Sequence, residues 1–219
     1  MKHTLNENEI FTHRGGSLRN DLNAILQWND CIDGELNTSI SSKYVTINQL
    51  PKYISNHNQN FTVLTLNCQS INAKFNSINL ILESLLMEND FQFSAICLQE
   101  TWLSGCPPDI NNFRLPGYNA YALGTTCSSH GGLICYIHES YNATVLKDYY
   151  NYSEWWEGLF VEISSTNFRP IILGNIYRPP KQNNNNHAID AFNNSFETMI
   201  NKLNKSKKDT IIVGDFNID

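Results

Sequence analysis

Several segments of the chain end on side chains able to do chemistry. "LTLN" closes on Asn67, "ICLQE" on Glu100, "GNIYR" carries Asn175, Tyr177 and Arg178, and "IIVGDFN" delivers Asp215 and Asn217. Each polar tip follows a run of apolar, β-favouring residues. Two carboxylates and two or three amides gathered at such tips would make an oxygen-rich site. That donor set suits a hard cation such as Mg2+, which takes one or two carboxylates and completes its shell with water and phosphate oxygens. It does not suit zinc, which is held by His and Cys clusters. Taken singly, every one of these residues has a plainer reading. Asn67 could start a turn, Glu100 could be a solvated strand end, and Tyr177 could cap the core with its ring. Asp215 and Asn217 could close a local turn through their own side chains. Recurrence on successive strands is what favours a site.

The elements that must position these groups follow from periodicity. "FTVLTLN" alternates and reads as a strand ending at Asn67. Ile71, Phe75, Ile78, Leu82 and Leu85 recur at three- and four-residue spacing, the pattern of an amphipathic helix. "FSAICLQE" is almost wholly apolar, as expected of a strand covered on both faces. Strand, helix and strand together suit a crossover within one sheet. The runs "YNAYAL", "GLICYIH", "ATVLK", "LFVEIS" and "RPIILGNIY" predict further strands, the last ending at Tyr177. A second helix is predicted from Ala188 to Leu203, with Phe192, Phe196 and Met199 on its apolar stripe, before the final strand at "IIVGDFNID". No internal repeat is visible. Residues 1–58 are polar and weakly patterned, with one candidate short helix around Leu18, Leu22, Ile25 and Leu26. They read as a separate N-terminal region, ordered or not, and the patterned domain occupies residues 60–219.

Composition narrows the classes. The chain has 219 residues, 41% hydrophobic and 16% charged, and its low charge is made up by asparagine, including the tract Asn183–Asn186. No window has the apolar length of a membrane span, and "MKHTLNENEIFTHRGG" has no apolar core of a signal peptide. Six cysteines without a C-x-x-C pair read as buried thiols of a reducing, intracellular compartment. The sequons at Asn37, Asn142 and Asn151 are then chance matches. A net charge of −6 argues mildly against a large nonspecific nucleic-acid surface, but leaves room for phosphate contacts through a metal and a few side chains.

The order "LTLNCQS … ICLQETWL … GGLICYI … WEGLFVEI … GNIYRPP … IIVGDFNID" resembles the endonuclease/exonuclease/phosphatase superfamily. Within it, "QETWL" and "NIYRPP" are similar to the endonuclease domain of LINE-type (non-LTR) retrotransposons. The resemblance implies a DNase I-like α/β fold, a two-sheet α-β-β-α sandwich. It further implies Mg2+-dependent nicking of DNA at a target site, in the nucleus. Glu100 would be the principal Mg2+ ligand, with Asn67 helping to bind metal or phosphate. Asp215 would orient or deprotonate the attacking water, Asn217 would hold the scissile phosphate, and Tyr177 would bind a phosphate oxygen as charge builds. Arg178 and Asn175 are expected at the substrate, Arg178 having an equally plain structural reading. Trp102 is expected to pack beneath the loop that carries Arg178, His130 to be a loop residue, and Lys202, Lys205, Lys207 and Lys208 to form a solvated helix end. The family domain continues beyond "GDFN" through further strands to a Ser-Asp-His motif, so by resemblance the chain is expected to be C-terminally truncated and to lack the final strands. The rival expectation is a noncatalytic remnant or domesticated binding module of the same fold.

Overall fold

The computed structural model describes residues 61–125, 130–180 and 186–217, together with Ala24–Ile25, Lys43–Tyr44 and Leu50. β1 (Ala24–Ile25) and β2 (Lys43–Tyr44) pair antiparallel, which puts Ile25 in a ladder rather than in the expected short helix. The rest of that expectation lies outside the described residues, as do Asn183 to Asn185, Cys31 and Cys127.

From Phe61 onward the predicted elements form. β3 (Val63–Asn67) leads into α1 (Ile71–Asn89), which buries Ile71, Ile78 and Leu85. β4 (Ala95–Gln99) follows, buried at every residue. β5 (Tyr118–Leu123), β6 (Leu133–His138), β7 (Asn142–Val145), β8 (Asn151–Tyr152) and β9 (Glu157–Ser164) come next, with a 3-10 turn at Lys147–Tyr149. β10 (Ile171–Tyr177), α2 (Asn186–Lys205) and β11 (Asp209–Asp215) complete the described chain.

The strands make two mixed sheets. One has the order β3-β4-β6-β5, and the other β11-β10-β9-β7 with β8 attached to β9. β3 and β4 are parallel, as are β10 and β11, because a helix crosses over between each pair. The remaining neighbours in both sheets are antiparallel.

Three apolar layers hold the sheets and helices together. Leu64, Leu66, Ile96, Leu98, Ile134 and Tyr136 cover α1. Trp156, Phe160, Ile172 and Ile176 cover α2 through Phe192, Met199 and Leu203. Between the sheets lie Ala95, Cys97, Leu133, Cys135, Leu159, Val161, Leu173 and Val213. The result is the α-β-β-α sandwich expected from the sequence. Cys68, Cys97 and Cys135 are buried free thiols, whereas Cys106 is exposed. Among the described residues no helix is long and apolar enough to cross a membrane.

Candidate active site

Strand periodicity delivers the chemistry. Successive side chains point to opposite faces, so the residues that alternate with helix-facing Leu64 and Leu66, or Ile172 and Ile176, face the other sheet. By that alternation Asn67, Gln99, Asn175, Tyr177, Asp215 and Glu157 all turn into the space between the sheets. At one end of the second sheet the register sets Asp215 beside Tyr177, and Tyr177 beside Glu157. Asn67 and Glu100 meet this row from the first sheet.

Glu100 stands just past β4 in a left-handed conformation, with φ of 51°, and Trp102 follows at 58°. Such backbone in non-glycine residues stores strain and persists only where the surroundings over-determine it. Here both sides of the loop are pinned. The carbonyls of Glu100 and Thr101 accept the N–H groups of Ser70 (2.8 Å) and Ile71 (3.1 Å), which would otherwise be unpaired at the start of α1. The N–H groups of Thr101 and Trp102 donate to the carbonyls of Gly132 (3.1 Å) and Gly131 (2.9 Å).

Asn67 joins the two acids. Its amide nitrogen donates to Glu100 Oε1 at 2.8 Å and to Asp215 Oδ2 at 2.7 Å, while its oxygen accepts the N–H of Gln69 at 3.2 Å. An amide offers two N–H donors on one side and an acceptor on the other, so both carboxylates are satisfied in this orientation. In this orientation Asn67 is a donor that offsets repulsion between Glu100 and Asp215. Burial raises the Asp215 pKa above the ordinary carboxylate range, and the Glu100 charge adds to this. Hydrogen bonds from Asn67 and Asn217 oppose the rise.

Asn217 folds back on the strand end, at a φ of 43°. Its N–H donates to Asp215 Oδ1 at 3.2 Å and its amide to the Arg178 carbonyl at 2.6 Å. The local turn read from the sequence thus exists within the site itself. The Tyr177 hydroxyl is buried and has no hydrogen bond of ordinary geometry. Burial, then the nearby Glu100 charge, push its pKa upward, so it remains a protonated donor.

Two expected substrate contacts sit elsewhere. Asn175 has no exposed surface: its amide donates to the carbonyls of Leu98 (3.0 Å) and Ile134 (3.1 Å), and its oxygen accepts from Gln99 at 2.5 Å. All of its bonding is spent tying one sheet to the other, out of reach of a substrate. Arg178 is buried, with its guanidinium 4.7 Å from the Phe192 ring centroid, so the structural reading accounts for its position. Trp102 is also corrected. Expected to be packed beneath a loop, it is instead 42% exposed, at a φ of 58°. His130 lies in the loop before β6. Lys202 reaches the Asp148 carbonyl and the Tyr149 ring, and Lys208 pairs with Glu162.

Glu157 was missed by sequence reasoning. It is 3% exposed and accepts the Gly132 N–H at 2.5 Å. An acid squeezed between "WW" and the apolar run "GLFVEI" was the available signal.

A divalent cation fits these donors in kind. Among the described residues no cluster of three or more His, Cys, Asp or Glu side chains forms a cage. What exists is a pair of carboxylates drawn to a common point by one amide, the sparse oxygen set that suits Mg2+ when water and phosphate supply the rest. Glu100, half-buried, is the residue placed to hold it.

No family model and no curated protein matches the sequence. Solved structures do match in fold. The AP endonuclease LMAP from Leishmania major superposes with a TM-score of 0.57 at 17% identity, over 71% of this chain and 55% of that one. The human Nocturnin catalytic domain, solved with a bound sulfate anion, gives 0.51 at 14% identity, over 72% of this chain and 64% of that one. The chain shares the DNase I-like α/β fold of these structures. It spans little more than half to two-thirds of their lengths.

Proposed function

We propose that the chain is a Mg2+-dependent phosphodiester hydrolase that nicks DNA, the endonuclease domain of a non-LTR retrotransposon acting in the nucleus. The observation that carries this reading is the meeting of two acids from different sheets on one amide, beside a buried tyrosine hydroxyl that makes no hydrogen bond of ordinary geometry. In the motif order "QETWL", "NIYRPP", "GDFN" the first two favour the retrotransposon branch, and a structure of the same fold is named an AP endonuclease.

Hydrolysis of a phosphodiester needs charge neutralised on the phosphate, an oriented water and donors aimed at the equatorial oxygens. Mg2+, when bound, supplies the neutralisation, with Glu100 holding it. Tyr177, kept protonated by burial, donates from its hydroxyl to a phosphate oxygen. Asp215 orients the attacking water and accepts its proton at a carboxylate oxygen, a role helped by a raised pKa. Asn217 steadies Asp215 through its backbone N–H and has a second amide hydrogen available for the phosphate. Asn67 keeps both acids aligned throughout.

Conversion of supercoiled plasmid to open circle tests the proposal, with RNA and a phosphoinositide as competing substrates. Nicking that needs Mg2+, stops with a chelator and is lost in Glu100→Ala supports it. Mg2+ binding without cleavage of any substrate would instead support the noncatalytic binding module.

A further inference from the structure

Glu157 is a buried acid that the proposed chemistry does not use. Burying a carboxylate is costly unless hydrogen bonds compensate, so the place where its bonding goes is informative. Its Oε2 accepts the N–H of Gly132 at 2.5 Å. That N–H belongs to the peptide plane whose carbonyl is Gly131 O, which accepts the Trp102 N–H at 2.9 Å. A continuous line of hydrogen bonds therefore runs from Trp102 through a single peptide group to the Glu157 carboxylate. Bonds in such a chain polarise and strengthen one another. The next carbonyl, of Gly132, takes the Thr101 N–H at 3.1 Å.

The peptide plane in question joins two glycines at φ of 87° and 82°. Without Cβ atoms this is the segment least constrained by its own sterics. The surroundings, in contrast, admit nothing larger. A Cβ at Gly131 would lie 2.6 Å from Glu157 Oε1 and from Thr125 Oγ1, and one at Gly132 would lie 2.5 Å from Thr101 Oγ1. A Gly-Gly turn at two positive φ, held by these hydrogen bonds and not by side chains of its own, supports the loop that carries Glu100.

We propose that Glu157 is a positioning residue: its carboxylate latches the Gly131–Gly132 peptide plane and thereby fixes the left-handed Glu100–Trp102 loop that presents Glu100 to the site. Rotation of that plane would break the bonds to Glu157 and Trp102 together and release Glu100 from the geometry in which Asn67 meets it. The α1 side of the loop stays fixed through Ser70 and Ile71, so the loss is one of alignment and not of fold. The consequence for metal binding and cleavage rests on the phosphodiesterase reading; the latch itself does not.

Glu157→Gln and Glu157→Ala in the full chain test this, with Glu100→Ala as the control on function. Residue-resolved amide hydrogen exchange at Thr101, Trp102 and Gly132 reads the latch without turnover. In Glu157→Ala these amides should exchange about tenfold faster, the protection of one ordinary hydrogen bond, while Leu98 and Val161 in the core strands stay as in wild type. Glu157→Gln, which retains one acceptor oxygen, should rescue part of that protection. Calorimetric Mg2+ affinity should fall by ~10-fold, the low end for groups that support a ligand from outside the first shell. Unchanged exchange at Thr101 and Trp102 overturns the inference, whatever the nicking rate. If wild type neither binds Mg2+ nor nicks, the functional reading fails while the exchange comparison still decides the latch. Should the Ala variant not fold, the Gln variant carries the same comparison against wild type.

Discussion

Replacing Asn67 by alanine removes one nitrogen that serves two acids, and the structure sets the size of the effect. At 2.8 and 2.7 Å from that nitrogen, Glu100 Oε1 and Asp215 Oδ2 are at most 5.5 Å apart. Two unit charges at that separation repel by ~3 kcal/mol at an effective dielectric of ~20. The wild-type amide offsets this with two charge-assisted hydrogen bonds, each worth ~1.5–3 kcal/mol when the charge is buried. Glu100 is half-exposed and can recruit water in exchange, so the loss at buried Asp215 dominates. Asn67→Ala should therefore cost ~2–3 kcal/mol in the presence of a chelator, a fall in Tm of roughly 4–12 °C for a chain of this size. Mg2+ should restore more stability to the variant than to wild type, because a cation near the carboxylates does the work of the missing donor. Differential scanning calorimetry with chelator and with Mg2+ measures both quantities. A variant that melts within a degree of wild type, with the same Mg2+ response, would refute the idea that Asn67 holds two mutually repelling acids together.

Three further substitutions separate stability from chemistry. Tyr177→Phe deletes a buried hydroxyl that makes no hydrogen bond of ordinary geometry; the Tm should hold or rise while nicking slows by ~10²–10³, the usual loss for a transition-state donor, as stopped time courses would measure. Asn175→Ala should cost at least ~3 kcal/mol in denaturant melts, because Gln99, Leu98 O and Ile134 O all lose a buried partner. Gly214→Ala should not yield a soluble fold on expression. The added Cβ would stand 1.9 Å from the Ile176 carbonyl, at a φ of 146° that alanine rarely adopts.

Legibility in the sequence tracked how local each determinant is. β4 could be read from "AICLQ" because Ile96 and Leu98 face α1 while Ala95 and Cys97 face the other sheet, leaving no polar alternation to confuse it. Asn67, Tyr177 and Asp215 were legible because each ends its own strand, and Glu100 because it follows β4 directly. Asn175 was misplaced for a reason periodicity cannot resolve. It shares a face with Tyr177, but register sets it between Leu159 and Val213, one pleat deeper in the core, whereas Tyr177 lies between Glu157 and Asp215 at the site. The role of Glu157 was not legible, although an acid beside an apolar run was a signal, because its partner Gly132 lies 25 residues away in the loop before β6. The exposure of Trp102 and its left-handed backbone are likewise not announced by the sequence.

The absence of a sequence repeat also concealed a repeated arrangement. In each sheet an edge strand runs parallel to its neighbour across a helix, β3 with β4 and β11 with β10, and antiparallel strands β6 and β9 follow inward. The crossover runs from edge to interior in the first sheet and from interior to edge in the second. Each half thus brings one acid to the same end of the sandwich, Glu100 just beyond β4 and Asp215 at the tip of β11. Neither acid has a partner of opposite charge in the described contacts between them; what links them is one amide at the end of β3. A site assembled across a seam in this way depends on how the two sheets sit on each other. The buried Asn175 side chain, bonded across the same seam to Gln99, Leu98 O and Ile134 O, ties the sheets together from beneath. Sheet alignment and active-site geometry are therefore one property of this fold, and loosening Asn175 should disturb Asn67 and both acids even though it touches none of them.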